Sequence, residues 1–296
     1  MNERSMKLNG DHLKIALQRK GRLADPSLQL LKSIGMDFDY HEGKLFAPCR
    51  SFPLDLLFLR DDDIPEYVQD GVTDLGIAGL NIIQERSASV AQLDCLEFGS
   101  CSLSIAVPRK GSFKTVFDLE GKRIATSHSR ILAHYLEQKG VNAKIIPITG
   151  SVEIAPSLDV ADAICDLVST GSTLRMNDLE PIELVLKSEA ILIANPASLQ
   201  DARKKALIDR LRIRIQGNIR ARKTKYVMMN APETALAEIR EILPGMKSPT
   251  IVPLAEPGMI AIHSAVPEEF FWDVIEKLKK AGASDILVVP VEKMVV

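Results

Sequence analysis

Aromatic residues are scarce in this 296-residue chain, with one Trp and four Tyr, so the base-stacking platform that single-stranded nucleic acid needs is absent. Charge of either sign is not in excess: the formal net charge is −2, which gives no bulk attraction to nucleic acid or to an anionic membrane. The four cysteines, Cys49, Cys95, Cys101 and Cys165, lack metal-ligand spacing, and two lie inside apolar runs. They read as buried free thiols of a reducing compartment rather than a disulfide framework. No apolar run approaches the roughly 20 residues of a membrane span. The first residues, MNERSMKLNGDH, have no apolar core for a secretory signal. A cytoplasmic protein without a nucleic-acid or membrane partner is expected. What is present, 46% hydrophobic and 26% charged residues, is ordinary for a soluble globular protein of about two domains.

The most informative stretch is Asp162 to Arg175, DAICDLVSTGSTLR. An apolar run, Ala163 to Val168, carries one carboxylate, Asp166, and breaks into Ser169, Thr170, Gly171, Ser172 and Thr173. A strand ending in such a loop before a short helix, expected from Leu174, offers hydroxyls and approachable N–H groups to an anion. Such clusters also occur as plain turns. The nucleotide P-loop is excluded, because no Lys follows the Gly and the four-residue gap between glycines is missing. With Asp166 placed for sugar hydroxyls, the loop suits a phosphoribosyl group.

Along the chain, strand, polar loop and helix recur. Leu13 to Leu17 is a strand followed by Gln18, Arg19, Lys20, Gly21 and Arg22; that basic loop is either a solvated turn or a phosphate site. A helix follows over Leu23 to Ile34. Leu54 to Leu59 ends in Arg60 and Asp61–Asp63, residues suited to capping the next helix or to walling a polar pocket. Thr73 to Gly79 is a strand, Asn81 starts a helix, and Ser87 to Leu93 reads as a loop. Cys95 to Pro108 looks like a crossover into a second lobe. There Thr126 to Ser129 follow a strand, with Ser127 or Ser129 as helix N-cap, and Thr149–Gly150–Ser151 leads a helix near Val152–Glu153. His128 and His134 lack the further histidine a metal site needs.

Ile182 to Ala194 returns as strands, with Lys187–Ser188 as a possible crossing point. A charged helix from Asn195–Pro196 to about Ile219 carries a core stripe at helical spacing. From Lys225 the order βαββαβ matches a ferredoxin-like module. The expected fold is α/β, with lobe I over 1–97 and 182–224, lobe II over 98–181, and a terminal domain over 225–296. Polar loops at the carboxyl ends of strands are where open α/β sheets bind ligands, and two crossings make a cleft that can hinge.

The run Glu153 to Leu174, EIAPSLDVADAICDLVSTGSTL, closely resembles the signature of the ATP phosphoribosyltransferases, the first enzymes of histidine biosynthesis. QRKGRL at Gln18–Leu23, RDDDIP at Arg60–Pro65, DLGIAG at Asp74–Gly79 and GKRIATS at Gly121–Ser127 agree with it. KYVMMNAP at Lys225–Pro232, SPTIVPLA at Ser248–Ala255 and ILVVPVEKM at Ile286–Met294 resemble the regulatory domain of the long form. Asp159 departs from the pattern, which usually has Gly there, and the segment after Glu85 is shorter than in some relatives.

The resemblance implies periplasmic-binding-protein-like catalytic lobes and transfer from phosphoribosyl pyrophosphate to N1 of ATP, with Mg²⁺. It also implies inhibition by histidine, a response to AMP, and dimers or hexamers. Glu153 and Asp166 would hold ribose hydroxyls and Ser169, Thr170, Gly171, Ser172 and Thr173 the 5′-phosphate, with Leu167 and Val168 also in the phosphoribosyl pyrophosphate site. Gln18, Lys20, Gly21, Arg22, Arg60, Asp61 and Asp74 would serve ATP, and Asn230, Thr250 and Asp285 histidine. A solute sensor on the same fold and a regulatory subunit without chemistry are the competing readings. The phosphoribosyl signature and the presence of Glu153 and Asp166 oppose them.

Overall fold

The computed structural model describes residues 11–41, 43–169, 171–243 and 249–295; they divide into two units between Ile208 and Asp209. No helix among the described residues is long and apolar enough to cross a membrane. The first unit opens with Leu13–Gln18 (β1), Ala24–Ser33 (α1), Phe46–Pro48 (β2), Leu54–Leu59 (β3), Ile64–Gln69 (α2), Leu75–Gly79 (β4), Leu80–Arg86 (α3) and Ala91–Cys95 (β5). Then come Cys101–Pro108 (β6), Arg123–Thr126 (β7), Ser129–Lys139 (α4), Lys144–Pro147 (β8), Ala163–Val168 (β9), Ser172–Met176 (α5) and Leu179–Ser188 (β10). Ala190–Ala194 (β11), Pro196–Gln200 (α6) and Ala202–Arg222 (α7) follow. The division between the units falls inside α7, earlier than the boundary expected at Lys225.

Two sheets build two lobes, in the orders β2-β3-β1-β4-β11-β5 and β10-β6-β9-β7-β8. In lobe I, β1 lies parallel to both β3 and β4. In lobe II, β7 lies parallel to both β8 and β9. Parallel strands are covered on both faces, which favours unbroken apolar sequence. Accordingly LGIAG of β4 is buried at every residue, and so is AILIA of β11, the antiparallel strand beside it. In lobe II, Leu103, Ile105 and Val107 pack with Leu132 and Leu136 of α4. The opposite face places Ala106, Ala125 and Ile164 with Val152 and Leu174.

Several local expectations change. Part of the expected loop at 87–93 joins β5, which pairs antiparallel with β11 at the edge of lobe I. The return between sheets is at Glu189, beside Lys187–Ser188 rather than at Ile182, because β10 pairs along β6 in lobe II. The helix expected near Val152 is a single 3-10 turn, Val152–Ile154. Helix α5 spans Ser172–Met176, and Leu179 already begins β10. Asn195 does cap a helix, accepting from the N–H groups of Ala197 and Ser198, but the backbone turns extended at Asp201 and splits α6 from α7. Asp61–Asp63 forms a 3-10 turn without a side-chain cap. The thiols are free, with Cys49, Cys101 and Cys165 buried but Cys95 exposed.

The second unit adds Thr224–Pro232 (β12), Leu236–Ile242 (α8), Thr250–Pro253 (β13), Met259–Pro267 (β14), Glu268–Lys280 (α9) and Ser284–Pro290 (β15). Its sheet order is β13-β14-β12-β15 with every neighbour antiparallel. That is the ferredoxin-like arrangement expected of βαββαβ. Val227, Met229 and Ile262 of the sheet pack with Ile239 of α8 and Leu278 of α9.

Asp74 and Asp159 have structural roles. Asp74 immediately precedes β4, at the amino end of the strand and away from the carboxyl-end loops, so it stands apart from the other residues expected to serve ATP. It is 4% exposed and accepts from the Lys14 N–H at 2.8 Å, Ser198 Oγ at 2.7 Å and Lys204 Nζ at 2.7 Å. Asp159 has φ of 56°, left-handed backbone that explains Gly in the family pattern. Here its carboxylate and carbonyl both accept from Arg123, at 2.8 Å each.

Asp74→Ala leaves the Lys14 N–H, the Ser198 hydroxyl and the Lys204 ammonium without this acceptor; a loss of roughly 3 kcal/mol in urea unfolding is expected, with KM for ATP unchanged in the folded fraction. Asp159→Gly retains stability, because relieved backbone strain offsets an exposed ion pair. Asp159→Val, which can do neither, loses about 1–2 kcal/mol in the same measurement.

Candidate functional site

Because the parallel strands of each lobe point their carboxyl ends the same way, the loops after β1, β3, β4, β7, β8 and β9 meet at one cleft of about 790 Å³. Lobe I contributes Gln18, Gly21 and Arg22 after β1, Asp61 and Asp62 after β3, and Asn81, Glu85 and Arg86 on and beside α3. Lobe II contributes Ser127, His128 and Arg130 after β7, Thr149 and Gly150 after β8, and Leu167 near the end of β9. A smaller hollow of about 440 Å³ adjoins Asp61 and Asp62 and collects Arg19, Lys20 and Arg60.

The basic loop is shaped from inside. Gln18 Oε1 accepts the Leu23 N–H at 2.7 Å, which closes the loop at the start of α1. Gly21 sits at φ 122°, and a Cβ there would lie 2.5 Å from Gln18 Nε2. No other residue fits that position without strain. Burial, reinforced by the Asp62 charge, raises Asp61 above the usual carboxylate range, with Arg22 acting in the opposite direction. Arg86 pairs with Asp62 at 3.5 Å and with Glu66 at 3.8 Å. The lobe I wall therefore carries interleaved cations and carboxylates.

In lobe II the central strand β9 carries Asp166, whose Oδ1 accepts the Leu167 N–H at 2.8 Å. Burial raises its pKa; the Leu167 N–H opposes the shift and the Glu153 charge adds to it. Glu153 stands on the 3-10 turn after Ser151, a left-handed residue with φ of 50°. Neither of the two expected carboxylates lines the cleft, although Leu167, next to Asp166 in the chain, does. Gly171, with φ of 71°, precedes α5 and turns the chain into it. Of the expected phosphoribosyl pyrophosphate run, Leu167 lines the cleft, while Val168 ends β9 and Ser172–Thr173 open α5. Ser169 follows β9, and Thr170 lies outside the described residues.

Several cleft residues escaped the sequence reading: Asn81, Glu85, Arg86, His128, Arg130 and Thr149. The signal was present for some, since Ser127–His128 and Thr149–Gly150 are also polar loops after lobe II strands. The expected serine cap of α4 is replaced by a carboxylate from the other lobe. His128 is the N-cap residue and makes no side-chain cap; Glu85 accepts the N–H groups of Arg130 and Ile131, each at 3.0 Å.

In the second unit, Asn230 Nδ2 donates to Asp285 Oδ2 at 3.1 Å, and Asp285 adopts a left-handed backbone with φ of 48°. These two expected residues come together on adjacent strands. Thr250 does not join them: it lies on the edge strand β13, opposite His263 of β14.

Comparisons agree with this layout. The family described as HisG: ATP phosphoribosyltransferase matches residues 60–217, and HisG, C-terminal domain, matches residues 221–293. ATP phosphoribosyltransferase of Cytophaga hutchinsonii is 48% identical over 283 residues, covering 96% of this chain and 98% of that protein. Among solved structures, the ATP phosphoribosyl transferase (HisG:HisZ) complex from Thermotoga maritima is similar with a TM-score of 0.59 and 30% identity, covering 69% of this chain and 98% of that one. The alkanesulfonate-binding protein SsuA from Xanthomonas axonopodis pv. citri gives a TM-score of 0.46 at 17% identity, over 70% of this chain and 72% of that one. With family matches spanning both units and a relative this similar along nearly its whole length, the chain belongs to the ATP phosphoribosyltransferase family.

Proposed function

We propose that the chain performs the family's transfer in the cleft of the first unit, with Glu153 and Asp166 gripping the ribose of phosphoribosyl pyrophosphate. The observation that carries this reading is the position of Asp166. It lies near the end of β9, where burial raises its pKa and the Glu153 charge adds to the shift, and it is next in the chain to Leu167, which lines the cleft together with Gln18, Gly21 and Arg22. In the reaction, N1 of adenine uses its lone pair to form the bond to the anomeric carbon. The bond from that carbon to pyrophosphate breaks, and pyrophosphate leaves with the electron pair. A neutral ring nitrogen needs no strong general base, so alignment and charge stabilisation supply the rate.

An anomeric carbon that loses pyrophosphate develops positive charge, which ionised Glu153 and Asp166 are suited to oppose while holding the ribose hydroxyls. Amides and hydroxyls from Ser169 through Thr173 are assigned to the 5′-phosphate, with Leu167 and Val168 in the same site. Lys20, Arg22 and Arg60, with Gln18, Gly21 and Asp61, are assigned to ATP and departing pyrophosphate. No three His, Cys, Asp or Glu side chains converge as a metal cage among the described residues. A Mg²⁺ that enters with the polyphosphate substrates would supply charge neutralisation to the leaving group. The proposed setting is the cytoplasm, and the proposed assemblies are dimers and hexamers. Histidine is proposed to act through Asn230 and Asp285, with Thr250 as a separate contact, and AMP as a further effector.

Asp166→Asn is expected to lower kcat roughly a hundredfold, as read by pyrophosphate release. An unchanged rate overturns the assigned role. Because burial raises the Asp166 pKa, the folded state favours the protonated form, and the stability this gives at low pH is lost as pH rises through the folded value. Asparagine imposes no such loss, so the variant stays folded at neutral pH. The acid limb of wild-type activity that reports Asp166 ionisation lies above the ordinary value of about 3.9 and vanishes in Asp166→Asn.

For the terminal unit, Asp285→Ala is expected to raise the histidine concentration giving half-inhibition about tenfold, the loss of a charge-assisted hydrogen bond. The uninhibited rate stays the same. Equal inhibition of wild type and variant removes Asp285 from the histidine site.

A further inference from the structure

A buried chain of hydrogen bonds joins the point where the backbone returns between the lobes to the lip of the cleft, and its middle member is Asn81. Ser188 closes β10, one residue before the crossing at Glu189. Its Oγ accepts the Asn81 N–H at 3.1 Å and donates to Asn81 Oδ1 at 2.8 Å. With Oδ1 engaged in that way, the Nδ2 group faces His128 Nε2 at 2.9 Å and donates to it. His128 Nδ1 then carries the ring proton and donates to Ser127 Oγ at 3.0 Å, while the His128 N–H donates to Thr126 Oγ1 at 2.9 Å. Asn81, Ser188 and His128 are 1%, 4% and 4% exposed, so the bonds among them are shielded from competing water, and only the bond to the exposed Ser127 reaches solvent.

Three observations separate this chain from a generic satisfied core. It links three separate pieces of structure: α3 of lobe I, the crossing, and the start of α4 in lobe II. Asn81, His128 and Ser127 line the substrate cleft. The residue before α3 is also restricted, because a Cβ on Gly79 would lie 2.5 Å from Asn81 Oδ1. Its φ of −69° is open to any residue, so the side-chain amide of Asn81, not backbone conformation, demands glycine there. Beside it, Glu85 of α3 accepts the Arg130 and Ile131 N–H groups of α4, a second tie between the same two helices.

We propose that Asn81 is a positioning residue for phosphoribosyl transfer, fixing through Ser188 and His128 the lobe separation at which the cleft takes both substrates. An amide is the side chain for the task, since one end accepts from the crossing while the other donates to lobe II. Without it, substrate binding must also order the two lobes. That ordering weakens binding before it affects the chemical step.

The contact also has a protonation sense. Neutral His128 accepts from Asn81, and protonated His128 cannot. Burial holds His128 below its ordinary pKa, against the opposing charges of Glu85 on α3 and of Asp62 and Asp61 on the turn after β3; Arg130 on α4 faces the same cleft. Binding therefore weakens as pH falls through the His128 value. An aspartate at position 81 removes this dependence, because a carboxylate accepts from Nε2–H both in the protonated ring and in the neutral tautomer whose Nδ1 accepts from the Ser127 hydroxyl.

The test measures steady-state kinetics of the full chain, with thermal melting as the control for folding. Asn81→Ala is expected to raise KM for ATP and phosphoribosyl pyrophosphate about tenfold, with kcat within about threefold of wild type. Gly79→Ala, which retains every polar group and displaces only the amide, shows the same pattern and decides the matter if Asn81→Ala does not fold. In Asn81→Asp, KM no longer rises as the solution is acidified through the His128 value. A lowered kcat at unchanged KM in Gly79→Ala, or an Asn81→Asp profile that follows wild type, assigns the chain of bonds to stability alone and overturns the proposal.

Discussion

The cleft depends on strand direction. In each lobe a set of largely buried parallel strands opens its carboxyl ends along one edge, and the cleft's polar residues gather there. The arrangement concentrates groups that are costly to bury where two lobes can share them around a ligand. It also explains why residues from loops as distant in sequence as Gln18 and Leu167 line the same cavity. Asp74 illustrates the converse. At the opposite end of β4 a carboxylate is absorbed into bonds with Lys14, Ser198 and Lys204.

The balance of charges in the cleft follows from the chemistry it serves. Polyphosphate substrates call for cations, yet a purely basic wall would hold pyrophosphate after it leaves. Here Arg86 is partnered by Asp62 and Glu66, and Asp61 is coupled to Arg22. Such interleaving tempers anion affinity. In lobe II, the role proposed for Glu153 and Asp166 is to set negative charge against a sugar carbon as it becomes cationic. Burial that makes Asp166 harder to ionise also strengthens its interaction once ionised.

Most of the architecture was legible because β-branched and aliphatic runs alternate with polar loops at a steady interval. The βαββαβ order of the terminal unit followed from that alone, and the family resemblance supplied its ligand. The misreadings share a cause: they were settled by contacts distant in sequence. Residues 91–95 become β5 only because β11 returns beside them. Leu179 to Ser188 belongs to lobe II only because β6 pairs with it. The cap of α4 comes from Glu85, which no local pattern around Ser127 or Ser129 announces. Asn81 was visible merely as a helix start; its value lies in bonds to Ser188 and His128, far along the chain.

The account stands most directly on coupled turnover. Full-length protein supplied with ATP and phosphoribosyl pyrophosphate should form phosphoribosyl-ATP and pyrophosphate in equal amounts, with none from either substrate alone and less when histidine is added. Pyrophosphate release that does not need ATP, or no phosphoribosyl-ATP with both substrates present, would contradict it.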